Sequence, residues 1–177
     1  MSEQSNEMTK FLRSLRAVRD YTGNPIADDV LQDILEVGRW SASASNLQPT
    51  EIVVVRDAAI RQKMAENGAR PAGGAPVALV IVTPGGPERH DVTVFDEGRL
   101  VERLLLAAKA HGLGGNIETL KEQGPEIIRT ALGIPADRRV VSVVTIGHTD
   151  EEARKARPRR PGPVRKPMES FVHRDRY

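Results

Sequence analysis

Along the chain, apolar residues at helical spacing alternate with short β-branched runs. Phe11, Leu12, Leu15 and Val18 predict a helix over 8–19, broken by the turn residues Tyr21-Thr22-Gly23-Asn24-Pro25. Asp28 and Asp29 suit a helix N-terminus, where unpaired N–H groups favour carboxylates. That second helix carries the stripe Val30, Leu31, Ile34, Leu35 and Gly38 and ends near Trp40. A strand follows at 51–55 and a helix at 57–66. Residues 75–82 are almost continuously apolar, which predicts a central strand covered on both faces. A long helix over 96–111 buries Leu100, Leu104, Leu105, Ala107 and Ala108, and stops at the turn Gly112-Leu113-Gly114-Gly115. The remaining elements are a helix over 120–132 divided at Gly124-Pro125, a strand over 139–146 and a short strand at 168–172.

This order, ααβαβααβ with an extended tail, predicts a central sheet in an α/β or α+β fold. A chain of 177 residues fits one domain. Residues 149–177 form a charged, proline-rich arm, which is either disordered or ordered by something outside its own subunit. Phe171, Val172 and Tyr177 give it apolar groups to dock, as an arm exchanged across a two-fold dimer would.

Composition removes several chemistries. There is no cysteine, hence no disulfide, thiolate nucleophile or iron–sulfur cluster. The longest apolar run is too short to cross a bilayer, and the polar start lacks a signal peptide's apolar centre, so a cytoplasmic protein without membrane partners is expected. The formal charge of +2 is small, but its distribution is uneven. Arg13, Arg16 and Arg19 crowd near the start; Arg154, Lys155, Arg157, Arg159, Arg160, Arg165 and Lys166 crowd in the arm. Such clusters attract phosphates. Aromatics are only 3% and none interleave the arm, which argues against a nucleic-acid partner. The 4 histidines are scattered without ligand spacing, Asp96-Glu97 reads as a helix start, and no metal site is expected. Trp40 reads as a core or interface anchor.

Three segments carry candidate chemistry. Arg16 and Arg19, one helical turn apart, can grip two sides of one phosphate or form a solvated face. The loop Ser43-Ala44-Ser45-Asn46-Leu47-Gln48-Pro49 offers donors, acceptors and little bulk beside a flat ring; the same composition also suits an ordinary turn. Gly112-Leu113-Gly114-Gly115-Asn116 lacks the spacing of a phosphate loop or dinucleotide fingerprint and offers backbone N–H groups at most.

Taken in order, Arg16-Ala17-Val18-Arg19-Asp20-Tyr21, Ser43 to Pro49, Leu105-Leu106-Ala107-Ala108, Gly112-Leu113-Gly114, Leu132-Gly133-Ile134-Pro135, Ile146-Gly147-His148 and Arg165-Lys166-Pro167-Met168-Glu169 resemble the nitroreductase family of FMN-dependent, NAD(P)H-linked oxidoreductases. The resemblance spans nearly the whole chain. It implies an α+β fold, a three-layer α/β/α sandwich whose mostly antiparallel sheet is wrapped by helices, in an intertwined homodimer with C-terminal arm exchange. It implies one FMN-binding domain over 1–177, with tightly bound FMN at the dimer interface, NAD(P)H as donor and a small electron-poor acceptor, a nitro compound or quinone, reduced by a ping-pong mechanism. Carried over by position, Arg16, Ala17, Arg19 and Arg165 would surround the FMN phosphate, Ser43, Asn46 and Gln48 would contact the flavin, and Gly114 and Gly115 would supply backbone beside it. The chemistry would sit at the flavin N5, so no catalytic side chain is assigned. Ala17 replaces the family's usual serine, Arg103 a frequent asparagine, and Asn116 a frequent aromatic or serine; the helical excursion of larger members is expected to shrink to a loop before Asp96. Two alternatives stay open: a catalytically silent or regulatory dimer that binds flavin or another anion, and a relative with specialised flavin or deazaflavin chemistry.

Overall fold

The computed structural model describes residues 6–86, 90–158 and 164–177; Arg159 and Arg160 of the basic arm lie outside them. Its elements are α1 (Glu7–Arg13), α2 (Asp28–Arg39), β1 (Glu51–Val55), α3 (Ala58–Glu66), β2 (Val77–Pro84), α4 (His90–Ala110), β3 (Gly114–Thr119), α5 (Gly124–Ala131), β4 (Arg138–Gly147) and α6 (Glu151–Ala156). Short 3-10 turns lie at Ala44–Asn46, Arg70–Gly73 and Met168–Ser170.

The strands form one antiparallel sheet in the order β1-β2-β4-β3. Strand side chains alternate between faces, and β2 shows it cleanly. Val77, Leu79 and Ile81 enter one core with Ile34 of α2 and Leu100, Leu104 and Ala108 of α4. Ala78, Val80 and Val82 enter the other, with Met64 of α3 and Ile128 of α5. An α+β sandwich of three layers follows, and the buried β2 predicted from its apolar run is indeed interior. On β4, Val140 and Val143 share one core while Val144 and Ile146 join the other. The parity changes because β4 carries an extra residue where Val80 and Val82 pair with Val143 and Val140.

Several expected boundaries move. The first helix stops at Arg13 instead of near Arg19: the Ser14 hydroxyl and N–H both donate to Phe11 O, at 2.6 and 3.0 Å. The chain then runs alongside β3, with a parallel bridge between Ala17 and Gly115 and Val18 N–H donating to Gly115 O at 2.9 Å. Pairing with the edge of the sheet overrides the helical period. The glycine turn ends sooner than expected, and Gly114 opens β3. A Cβ on Gly114 would lie 2.6 Å from Val18 Cγ1, and one on Gly115 2.7 Å from Leu105 Cδ2, so these glycines let the basic segment and α4 approach the strand. α4 begins at His90, so Asp96 lies inside the helix and does not start it. The helix expected from Leu120 begins at Gly124. In the arm, α6 interrupts the extended stretch, and a 3-10 turn replaces the strand expected at 168–172.

Candidate functional site

Pinning residues 17 and 18 to β3 carries the basic segment to the mouth of a cavity of about 710 Å³. That volume lies within the roughly 300–1,000 Å³ of small-molecule sites. Three guanidinium residues line it, Arg13, Arg16 and Arg165, against one carboxylate residue, Glu102. Leu12, Leu15, Leu105 and Ile117 supply apolar wall, and Ala17, Gly115 and Asn116 complete it. Arg16 Nη1 donates to the carbonyls of Arg13 and Leu15, both at 2.7 Å. Arg19 turns elsewhere, its Nε lying 3.3 Å from Glu118 Oε1. Glu118 also accepts from the buried Asn116 amide. Behind this network the Tyr21 hydroxyl donates to Val18 O at 2.7 Å and meets Thr145 Oγ1 at 2.9 Å. Burial pushes its pKa up to about 12, opposed by the Thr145 hydrogen bond and the Arg19 charge.

The polar loop lies apart from that cavity. Ser43 and Gln48 line a separate space of about 330 Å³ between α2, β1 and α4. Ala44 and Leu47 line another of about 300 Å³. The backbone is unusual here: Ser45, Asn46 and Gln48 have φ of 53°, 53° and 50°. Non-glycine residues held in sparsely populated backbone regions cost about 1–3 kcal/mol each, asparagine being the most tolerant, and persist only where surroundings enforce them. Ser43 Oγ accepts from Gln48 N–H at 2.8 Å, and Asp96 Oδ2 accepts from Ala44 N–H at 2.8 Å. Asp96 is only 5% exposed. Beside the loop, Trp40 is 69% exposed and Phe95 67%, so Trp40 is no core anchor of its own chain. Trp40 is held by its indole N–H donating to Glu36 and by Arg39 stacked 5.5 Å from its ring centroid. Arg39 and Trp40 together lower the Glu36 pKa to about 2.

The sequence model of the Nitroreductase family matches residues 12–70. A protein of Archaeoglobus fulgidus provisionally named NADH dehydrogenase/NAD(P)H nitroreductase is 30% identical over 152 residues, 82% of this chain and 87% of its own. The chain belongs to the nitroreductase family. This nitroreductase-family oxidoreductase is also similar to the NADPH-flavin oxidoreductase of Vibrio harveyi, 28% identical over 97% of this chain and 75% of that one. Its fold matches that of an FMN-dependent nitroreductase from Clostridium difficile with a TM-score of 0.77 at 22% identity, covering 94% and 98% of the two chains.

For this nitroreductase-family chain, Arg16, Ala17, Gly115 and Arg165 of the expected site come together in the large cavity. Gly114 lies next to it, in a smaller space shared with Arg16 and Gly115. Arg19 does not line the large cavity, and neither do Ser43, Asn46 or Gln48. Sequence reasoning missed Arg13 and Glu102 as lining residues and Asp96 as the loop's support. Arg13 had a signal, standing three residues before Arg16, but a continuous helix placed it wrongly. Asp96 had none, because its partner is a backbone N–H distant in sequence. Among the described residues no group of side chains is arranged to hold a metal ion, and no helix is long and apolar enough to cross a membrane.

Proposed function

We propose that this protein is an FMN-dependent, NAD(P)H-linked reductase acting as a cytoplasmic homodimer. The observation that carries the reading is the cavity of about 710 Å³ lined by Arg13, Arg16 and Arg165 together with apolar walls. The donor set fits the cofactor: guanidinium forks match a phosphate dianion, and leucine and isoleucine walls match a flat apolar ring. Bound there, FMN would supply the redox chemistry, accepting hydride from NAD(P)H and, after the donor leaves, reducing a nitro compound or quinone in a ping-pong sequence. Arg16 and Arg165 would hold the phosphate, the first by leaving its backbone carbonyls. Ala17 would bring its backbone close without the hydroxyl of the usual serine. Gly114 and Gly115 would leave β3 bare of side chains beside the ring.

The loop residues Ser43, Asn46 and Gln48 lie outside this cavity in their own chain, so we propose that they close the cavity of a second copy. The exposed Trp40, Leu47 and Phe95 around the loop, and Phe171 and Tyr177 in the arm, are the surface such a dimer would cover. The test is direct. Purified protein should be yellow, and its flavin bands should bleach on anaerobic addition of NAD(P)H and recover on addition of a quinone or nitroarene. A colourless protein that takes up no added FMN would sink the reading. Arg16→Ala and Arg165→Ala should each weaken FMN binding about tenfold or more, as loss of a charged hydrogen bond does. Arg19→Ala should cost less, because Glu118 holds its guanidinium. Equal losses for Arg19→Ala and Arg16→Ala would mean that the phosphate sits elsewhere.

A further inference from the structure

The 43–49 loop bridges two hollows, one of about 330 Å³ and one of about 300 Å³, and Asp96 lines both. Its backbone is in the left-handed region at Ser45, Asn46 and Gln48. A strained segment with space on either side keeps its shape only where something fixes it. Within the loop, Ser43 Oγ accepts from Gln48 N–H at 2.8 Å, which closes the turn on itself but does not set its orientation on the protein. From outside, the Asp96 carboxylate accepts from Ala44 N–H at 2.8 Å. Asp96 projects from the interior of α4, where a buried carboxylate is costly unless it is hydrogen-bonded. Arg99, one turn on, reaches its other oxygen only at 3.5 Å. The bond to Ala44 is the shorter of the two contacts.

We propose that Asp96 is a positioning residue, which orients the Ser43, Asn46 and Gln48 loop toward the cofactor through the Ala44 N–H. The proposal rests on the flavin reading above. The hydrogen bond can be removed from either side. Asp96→Ala deletes the acceptor. Ala44→Pro deletes the donor and leaves α4 untouched. Ser43, at φ −127° and ψ 160°, already has the extended conformation required before a proline, and Ala44 opens a 3-10 turn, where proline is accepted. Asp96→Asn keeps an acceptor oxygen without the charge.

In the full-length chain, Asp96→Ala and Ala44→Pro should each raise the Kd for FMN about ten- to a hundredfold. Both should shift the visible absorption bands of the remaining bound flavin in the same direction, and the flavin-free Ala44→Pro protein should fold with a melting temperature lowered by the loss of the buried Asp96 carboxylate's partner. Asp96→Asn should restore most of the affinity and the wild-type spectrum. If Asp96→Ala fails to fold, Ala44→Pro carries the test alone. Wild-type affinity and spectrum in Ala44→Pro would overturn the positioning role, as would an Asp96→Asn protein no better than Asp96→Ala. A wild-type chain that takes up no FMN would overturn the flavin reading and this inference together.

Discussion

Arg16 and Arg19 are chemically alike and three residues apart, yet their surroundings separate them. Arg16 lines the cavity and donates to the backbone carbonyls of Arg13 and Leu15, whereas Arg19 meets Glu118 on β3. Sequence identified both as cations but could not rank them, because Glu118 is distant in the chain. Tyr21 is a second residue whose role comes from packing. Its phenol is buried against Val18 O and Thr145, and its pKa rises from 10.0 to about 12. A raised pKa in an acid means that the fold favours the neutral form. The stabilisation is therefore complete below the unfolded value of 10.0 and is lost as pH rises toward about 12. Denaturant unfolding should show wild type more stable than Tyr21→Phe below pH 10.0, with the gap narrowing above it. A gap that stays constant into strong alkali would refute the assignment.

Elements with a clear apolar signal are legible at their expected positions: β1, β2, β4 and α2 all lie within a few residues of where the pattern puts them, and α3 also falls where a helix is expected. Two of the misplaced elements share a cause. The apolar period extends α1 through residues that pair with β3, and the start of β3 reads as a turn because Gly114 and Gly115 have no side chains to signal a strand. Both errors concern one contact, the seam between residues 17–18 and Gly115. Close approach is what that seam requires. Gly114→Ala should therefore destabilise the protein by about 1–3 kcal/mol, the usual cost of forcing extra atoms into a packed site, because the new methyl would lie 2.6 Å from Val18 Cγ1 and 2.7 Å from Val18 Cβ. The denaturation midpoint measures it. No change in midpoint would mean that the seam is looser than its geometry.

At the scale of the whole molecule, two features of the chain stand without a partner among the described residues. The arginine-lined cavity and the polar loop do not meet, and the arm keeps Val164, Met168, Phe171 and Tyr177 exposed. The proposed homodimer accounts for both, each loop closing the other protomer's cavity and each arm lying on its partner. Truncation after Pro158 should then give a monomer that loses FMN, measured by light scattering on a sizing column together with flavin absorbance. A truncated chain that remains dimeric and yellow would remove the arm from the assembly. By itself, the sequence determined the alternation of buried strands with amphipathic helices, the absence of thiol chemistry, and the cationic and polar segments from which a site can be made, because each of these is written in side-chain type and local spacing. Only the tertiary structure decided which cations face the cavity, that the 43–49 loop belongs to a different surface, and that Asp96 supports it. Those outcomes depend on the β3 edge capturing residues 17–18 and on α4 presenting a carboxylate to a backbone N–H far away in sequence, contacts that no local pattern encodes.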